Sequence, residues 1–130
     1  MTDKELLEQA KAAKEGAYAP YSRFRVGAAL LSKDGQVFTG ANVENASYGV
    51  TCCAERVALF KAVTGGTREF AAIAVTSDSR ELTFPCGACR QALSEFAPDM
   101  DVLSSNNKLE FKKMKLEELL PCAFSEMETK

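Results

Sequence analysis

A chain of 130 residues with 46% hydrophobic side chains and no long Pro- or Ser-rich interval can bury a real core, and it reads as one domain over residues 1–130 with no linker. Its 16 basic and 18 acidic residues nearly balance and form no Lys/Arg run, which disfavours a nucleic-acid partner. Histidine is absent, so histidine-based catalysis is excluded and any zinc must rest on cysteines and carboxylates.

The start, Met1-Thr2-Asp3-Lys4-Glu5, lacks a basic segment leading into an apolar run, and nowhere do roughly 18 apolar residues follow one another. Those two features point to a soluble, cytoplasmic protein with no membrane association. Five cysteines, an odd number in a domain of ordinary composition, fit thiols and thiolates of a reducing compartment better than a disulfide framework.

Residues 3–15 place Leu6, Leu7, Ala10 and Ala13 on one helical face among Lys and Glu, with Gly16 as a stop. Ala19-Pro20-Tyr21-Ser22 breaks that helix. Phe24 to Leu31 follows as a mostly buried strand, ended by the turn Lys33-Asp34-Gly35, and Gln36 to Asn42 returns as its hairpin partner. A loop from Val43 to Thr51 leads to a helix over Cys53 to Val63, closed by Gly65-Gly66. Phe70 to Thr76 reads as another strand, and Pro85 opens a third helix through Phe96. Asp101 to Ser105 and Leu109 to Met114 read as weaker strands around Asn106-Asn107, with a short helix over Leu116 to Leu120 and a frayed tail after Ser125. The order α-β-β-α-β-α-β-β-α argues for an α/β fold, a mixed sheet with helices on its faces.

The chemistry concentrates in Pro85-Cys86-Gly87-Ala88-Cys89, read with Cys53-Ala54-Glu55. Two thiols at Cys-x-x-Cys spacing reach one tetrahedral metal ion. A third thiol with a carboxylate two residues on completes three-point ligation and adds a proton carrier. Three protein ligands leave a fourth position for water, the mark of a catalytic rather than a structural zinc. Helix starts favour thiolates through free N–H groups and the positive dipole end. Three thiolates on Zn²⁺ leave a net −1, which Arg56 and the dipoles offset, with bound water titrating near ~7. By spacing alone, Cys52 serves as well as Cys53, and Cys52 or Cys122 can close a four-thiolate structural site.

These segments, with Tyr21-Ser22-Arg23-Phe24-Arg25-Val26-Gly27-Ala28-Ala29-Leu30 and Asn42-Val43-Glu44-Asn45 ahead of them, resemble the small homotetrameric zinc-dependent cytidine deaminases over nearly the whole chain. The resemblance implies a three-layer α/β/α fold with a mixed five-stranded sheet. It implies one zinc per chain on Cys53, Cys86 and Cys89, whose hydroxide attacks C4 of the cytosine ring. It gives Glu55 the proton shuttle to N3 and to the departing ammonia. The reaction it implies is conversion of free cytidine and 2′-deoxycytidine to uridine and 2′-deoxyuridine in pyrimidine salvage. By the same resemblance Asn42 and Glu44 bind the ribose 3′-hydroxyl, Phe24 stacks near the base, and the Ala54 backbone contacts the pyrimidine. Ala46, Tyr48 and Phe124 then reach a neighbouring subunit's pocket in a homotetramer with shared active sites. The family's Cys-x-Glu spacing selects Cys53 and leaves Cys52 as a small buried hydrophobe. Cys122 departs from the Gly that commonly follows Leu-Pro in the family, so the backbone there is expected to differ or to be strained. The readings that compete are an antibiotic aminohydrolase of the blasticidin type and a non-catalytic zinc-binding protein.

Overall fold

The computed structural model describes residues 1–125, so the tail after Ser125 lies outside the described residues. The first helix, α1 (Asp3–Lys14), starts with a reciprocal cap. Thr2 Oγ1 accepts from the Glu5 N–H at 3.1 Å and Glu5 Oε1 accepts from the Thr2 N–H at 2.8 Å. Its apolar stripe, Leu6, Leu7 and Ala10, packs on Ala29, Ala72, Ala74 and Leu103 of the sheet. Ala13 is only half-buried, and the last buried side chain of the helix is instead Lys14.

The sheet contains β1 (Val26–Ser32), β2 (Val37–Ala41), β3 (Phe70–Ser77), β4 (Asp101–Ser105) and β5 (Phe111–Lys115), in the order β2-β1-β3-β4-β5. Only β3 and β4 pair in parallel, and the chain between them carries a helix, as a parallel crossover requires. The other helices are α2 (Ala54–Thr64), α3 (Gly87–Ser94) and α4 (Leu116–Leu119). Leu59 and Ala62 of α2, Leu93 of α3 and Leu116 of α4 share a second core with Leu30, Ile73, Val75 and Val102. The two cores use alternate residues of β3, Ile73 and Val75 against Ala72 and Ala74, so they lie on opposite faces of the sheet. The result is three layers, α1 on one side and α2, α3 and α4 on the other.

Among the boundaries that differ from the sequence reading, three element starts shift for a local reason. The strand expected from Phe24 begins at Val26, because Arg23 takes φ +57° and turns the chain before the ladder starts. The helix expected from Pro85 begins at Gly87, because Cys86 is extended (φ −68°, ψ 168°) and caps it. The strand expected from Leu109 begins at Phe111, because Leu109 has φ +61° inside the hairpin turn.

One contact sets the position of α2. A Cβ on Gly40 of β2 would lie 2.5 Å from the Ala54 carbonyl and 2.6 Å from the Ala58 N–H. Only glycine lets the first turn of α2 rest on the strand backbone at that distance.

Candidate active site

Helix starts hold all three motif thiols. Cys53 is the N-cap of α2, Cys86 the N-cap of α3, and Cys89 lies in the first turn of α3. Neither sulfur caps a backbone N–H of the helix it precedes, which leaves the sulfurs free to face one another. The Sγ atoms of Cys53, Cys86 and Cys89 lie within 4.8 Å of one another, with Cys53 to Cys86 at 3.6 Å. Thiolates bound tetrahedrally at ~2.3 Å from zinc sit ~3.8 Å apart, so this donor set fits that ion. Cys89 is buried, Cys53 half-buried and Cys86 exposed, which leaves the cluster open on one side.

Cys52 is excluded from the cluster by its backbone. Its N–H and C=O both pair with Val43, at 2.9 and 3.0 Å, and burial pushes its thiol up. Cys122 is likewise outside it, so among the described residues no fourth thiolate closes the site. Cys53 behaves differently. Hydrogen bonding with Cys89, helped by Arg56 and Cys86, outweighs desolvation and lowers its thiol to about 5, while Cys89 is pushed up.

Glu55, in the first turn of α2, is 4% exposed, and desolvation raises its carboxyl to about 7. It faces a cleft of about 300 Å³ that Phe24, Asn42, Glu44, Cys53, Ala54 and Cys86 also line. A larger hollow of about 360 Å³ around Lys33, Asp34 and Arg68 contains none of these residues, and the chemistry lies in the smaller cleft. Asn42 is buried. Its Oδ1 accepts from the Val26 N–H at 2.9 Å and its Nδ2 donates to the Phe24 carbonyl at 2.8 Å. Glu44 Oε1 accepts from the N–H groups of Tyr21 and Ser22, each at 3.0 Å, and Oε2 accepts from the Ser22 hydroxyl.

Residues 1–104 match the family described as the cytidine and deoxycytidylate deaminase zinc-binding region. The chain belongs to this deaminase family. It is 54% identical over 121 residues to a cytidine deaminase of Halalkalibacterium halodurans, spanning 92% of each chain. A crystal structure of cytidine deaminase from Burkholderia pseudomallei superposes with a TM-score of 0.92 at 53% identity, covering 95% of this chain and 100% of that one. The cytidine deaminase of Mycobacterium tuberculosis superposes at 0.83 with 40% identity, over 96% and 99%.

In this deaminase the remaining sequence-predicted positions divide. Arg56 lies against the metal cluster, its Nη2 donating to Cys53 Sγ at 3.4 Å. Tyr48, on a short 3₁₀ turn (Tyr48–Val50), is 88% exposed at the rim of its own chain's cleft. Ala46 is exposed and does not line that cleft. Phe124 is exposed, with its carbonyl accepting from Gln91 Nε2 at 2.7 Å, and it too is outside the cleft. Cys122 has φ +56°, the left-handed region that favours glycine, so of the two expectations the backbone there shows strain.

Ser22, Thr51, Thr83 and Phe84 line the cleft without having been singled out from the sequence. Thr83-Phe84 sits directly before the ligand segment Pro85-Cys86, and that adjacency was the available signal. Ser22 carried none beyond its place two residues before Phe24.

Proposed function

We propose that this chain, acting as a single domain, hydrolyses free cytidine and 2′-deoxycytidine to uridine and 2′-deoxyuridine, releasing ammonia in pyrimidine salvage. The observation that carries the reading is one cleft lined by Cys53 and Cys86 of the sulfur cluster, by Glu55, and by Phe24, Asn42 and Glu44.

Zinc on Cys53, Cys86 and Cys89 supplies Lewis acidity that makes water a nucleophile at neutral pH. Glu55 moves the protons. Burial holds its carboxyl near 7, where it gives and takes a proton with comparable ease, so it deprotonates the attacking water and protonates N3. The same carboxylate then takes the proton of the new C4 hydroxyl and passes it to the amine, so that the C4–N bond breaks as the C4 carbonyl forms and ammonia leaves. Arg56 offsets part of the thiolate charge through Cys53.

The other cleft residues orient the nucleoside. Phe24 stacks on the ring and the Ala54 backbone contacts its edge. Asn42 has one amide hydrogen left after Phe24, and Glu44 has a lone pair left after Tyr21 and Ser22, so both meet the ribose 3′-hydroxyl. The cleft lining includes no Lys or Arg and does include the Glu44 carboxylate, which favours a nucleoside over a nucleotide phosphate.

The protein assembles as a homotetramer in which Ala46, Tyr48 and Phe124 complete a neighbour's site. Tyr48 at 88% exposure and Phe124 at 65% support that reading, because large rings left in water favour a protein partner. A cytoplasmic setting suits the five free cysteines. No helix among the described residues is long and apolar enough to cross a membrane.

Ultraviolet-monitored turnover of cytidine by a preparation of measured zinc content tests the reaction. Turnover with about one zinc per chain, lost on metal removal, is expected. A zinc-loaded oligomer that ignores cytidine but deaminates blasticidin S establishes the antibiotic reading instead. Sedimentation of a stable, active monomer overturns the shared site.

A further inference from the structure

We propose that Ser22 is a positioning residue of this reaction, its single hydroxyl joining the sugar-binding oxygen of Glu44 to the backbone of Phe24. The proposal rests on the nucleoside reading above and deepens it. Between the end of α1 and the first ladder pair of β1, Tyr21, Ser22 and Phe24 have no strand partner, and side chains from two alternate positions of one segment hold their backbone instead. Asn42 grips the Phe24 carbonyl and the Val26 N–H at 2.8 and 2.9 Å. Glu44 grips Tyr21 and Ser22. Ser22 closes the gap between these grips, because its Oγ donates to Glu44 Oε2 and accepts from the Phe24 N–H at 3.0 Å.

A count of lone pairs gives this arrangement its functional content. A carboxylate offers about four acceptor sites, two on each oxygen. Both sites on Glu44 Oε1 are taken by the Tyr21 and Ser22 N–H groups, and one on Oε2 by the Ser22 hydroxyl. A substrate hydroxyl therefore docks on Oε2, the oxygen that Ser22 orients. The same Ser22 bonds hold Glu44 below its ordinary carboxylate range, so it stays ionised as an acceptor. Phe24, the residue proposed to stack on the base, takes its backbone anchor from the other side of that hydroxyl. Sugar and base contacts thus share one oxygen atom of an exposed serine that packs in neither core.

A loop-stabilising serine and a positioning serine differ in how substrate structure modulates their loss. In zinc-loaded protein, Ser22→Ala is expected to raise KM for cytidine about tenfold, the worth of one charge-assisted hydrogen bond, with kcat within about twofold. For 2′,3′-dideoxycytidine, which offers Glu44 no sugar hydroxyl on the ring carbons, KM is expected to rise less than about threefold. In a Glu44→Gln background that difference between substrates should vanish. Equal KM increases for both substrates, or a loss confined to kcat, overturn the proposal. Should the alanine variant not fold, Ser22→Thr serves: retention of the wild-type KM ratio between the two substrates is expected, and its collapse overturns the assignment. A wild type that does not turn over cytidine at all defeats the nucleoside reading and this proposal with it. Normal cytidine turnover with a substrate-independent Ser22 effect defeats this proposal alone.

Discussion

Arg56 donates from Nη2 to the Sγ of Cys53, 3.4 Å away and one turn earlier on the same helix. That i to i+3 relation puts a permanent cation beside a thiol proposed to hold the metal. Three thiolates on Zn²⁺ carry a net −1, which opposes ionisation of water on the metal, and the guanidinium offsets part of it. Arg56→Gln is expected to lower kcat/KM by about 10–100-fold, the usual cost of removing a group that orients a metal ligand. Steady-state kinetics with parallel chelator competition checks this. Unchanged values return Arg56 to the status of a helix surface residue.

Glu55 is expected to matter for turnover and not for metal retention. Its carboxyl is absent from the sulfur cluster yet buried beside it in the cleft. Glu55→Gln keeps size and burial while removing the proton carrier, so kcat should fall about a thousandfold, within the range of general acid-base catalysis. Zinc content should stay at about one per chain. Loss of zinc in this variant would make Glu55 a ligand and remove it as the shuttle.

The adjacent cysteines give a sharper discrimination. Cys53→Ala should abolish zinc binding and activity together, because it removes one of the three clustered thiols proposed as ligands. Cys52→Ala should leave both intact, since Cys52 is tied to Val43 by its backbone and stands outside the cluster. Zinc stoichiometry of the two variants decides the matter.

Much of this was legible in the sequence, and the exceptions share a cause. The helices and strands followed from periodicity and from Gly and Pro punctuation, and spacing brought forward Cys86, Cys89 and one of Cys52 and Cys53 as thiols able to share an ion. Which of Cys52 and Cys53 turns inward depended on a two-bond pairing with Val43 that spacing does not encode. The Asn42 and Glu44 grip on residues 21–26 spans about twenty positions and depends on the positive φ of Arg23, so a local pattern could not reveal it. Lys14 falls among the Lys and Glu residues of α1, and its partner Asp78 directly follows β3. Burial of a lysine becomes intelligible only when that partner is in place.

Gly40 and Gly27 are a matched pair of close approaches with different expected consequences. A Cβ at Gly40 strikes the first turn of α2 at 2.5 Å, and that turn carries Glu55 and adjoins Cys53. A Cβ at Gly27 strikes the Ala10 carbonyl of α1 at 2.1 Å, on the opposite face. Both alanine variants should lose about 3 kcal/mol of stability through overpacking. At a temperature where both remain folded, only Gly40→Ala should also lose zinc affinity and kcat. Thermal melts with metal titration separate the two.

Asp78 holds three elements together and sets an acid limit on stability. It accepts from Arg25 through Nε at 3.0 Å and Nη2 at 3.1 Å, and from Lys14 Nζ at 2.9 Å, joining the end of β3 to the start of β1 and the last turn of α1. The Arg25 hydrogen bonds, then Lys14, hold its carboxyl at about 2 against an ordinary 3.8. A lowered folded-state pKa means that the unfolded chain binds the proton more readily. The stabilisation is therefore full above pH 4 and lost as pH falls toward 2. Because the Asp78 side chain is 34% exposed, solvent screening cuts its worth to about 1 kcal/mol. Asp78→Asn removes that charge and leaves Lys14, whose side chain is 8% exposed, without its counter-ion, so the total cost at pH 7 should reach about 2–3 kcal/mol. Urea unfolding at a series of pH values is expected to show the gap between wild type and variant narrowing by up to about 1 kcal/mol as pH falls from 7 toward 2. A gap that stays constant down to pH 2 would mean that the Asp78 charge contributes nothing and that the variant fails for reasons of packing.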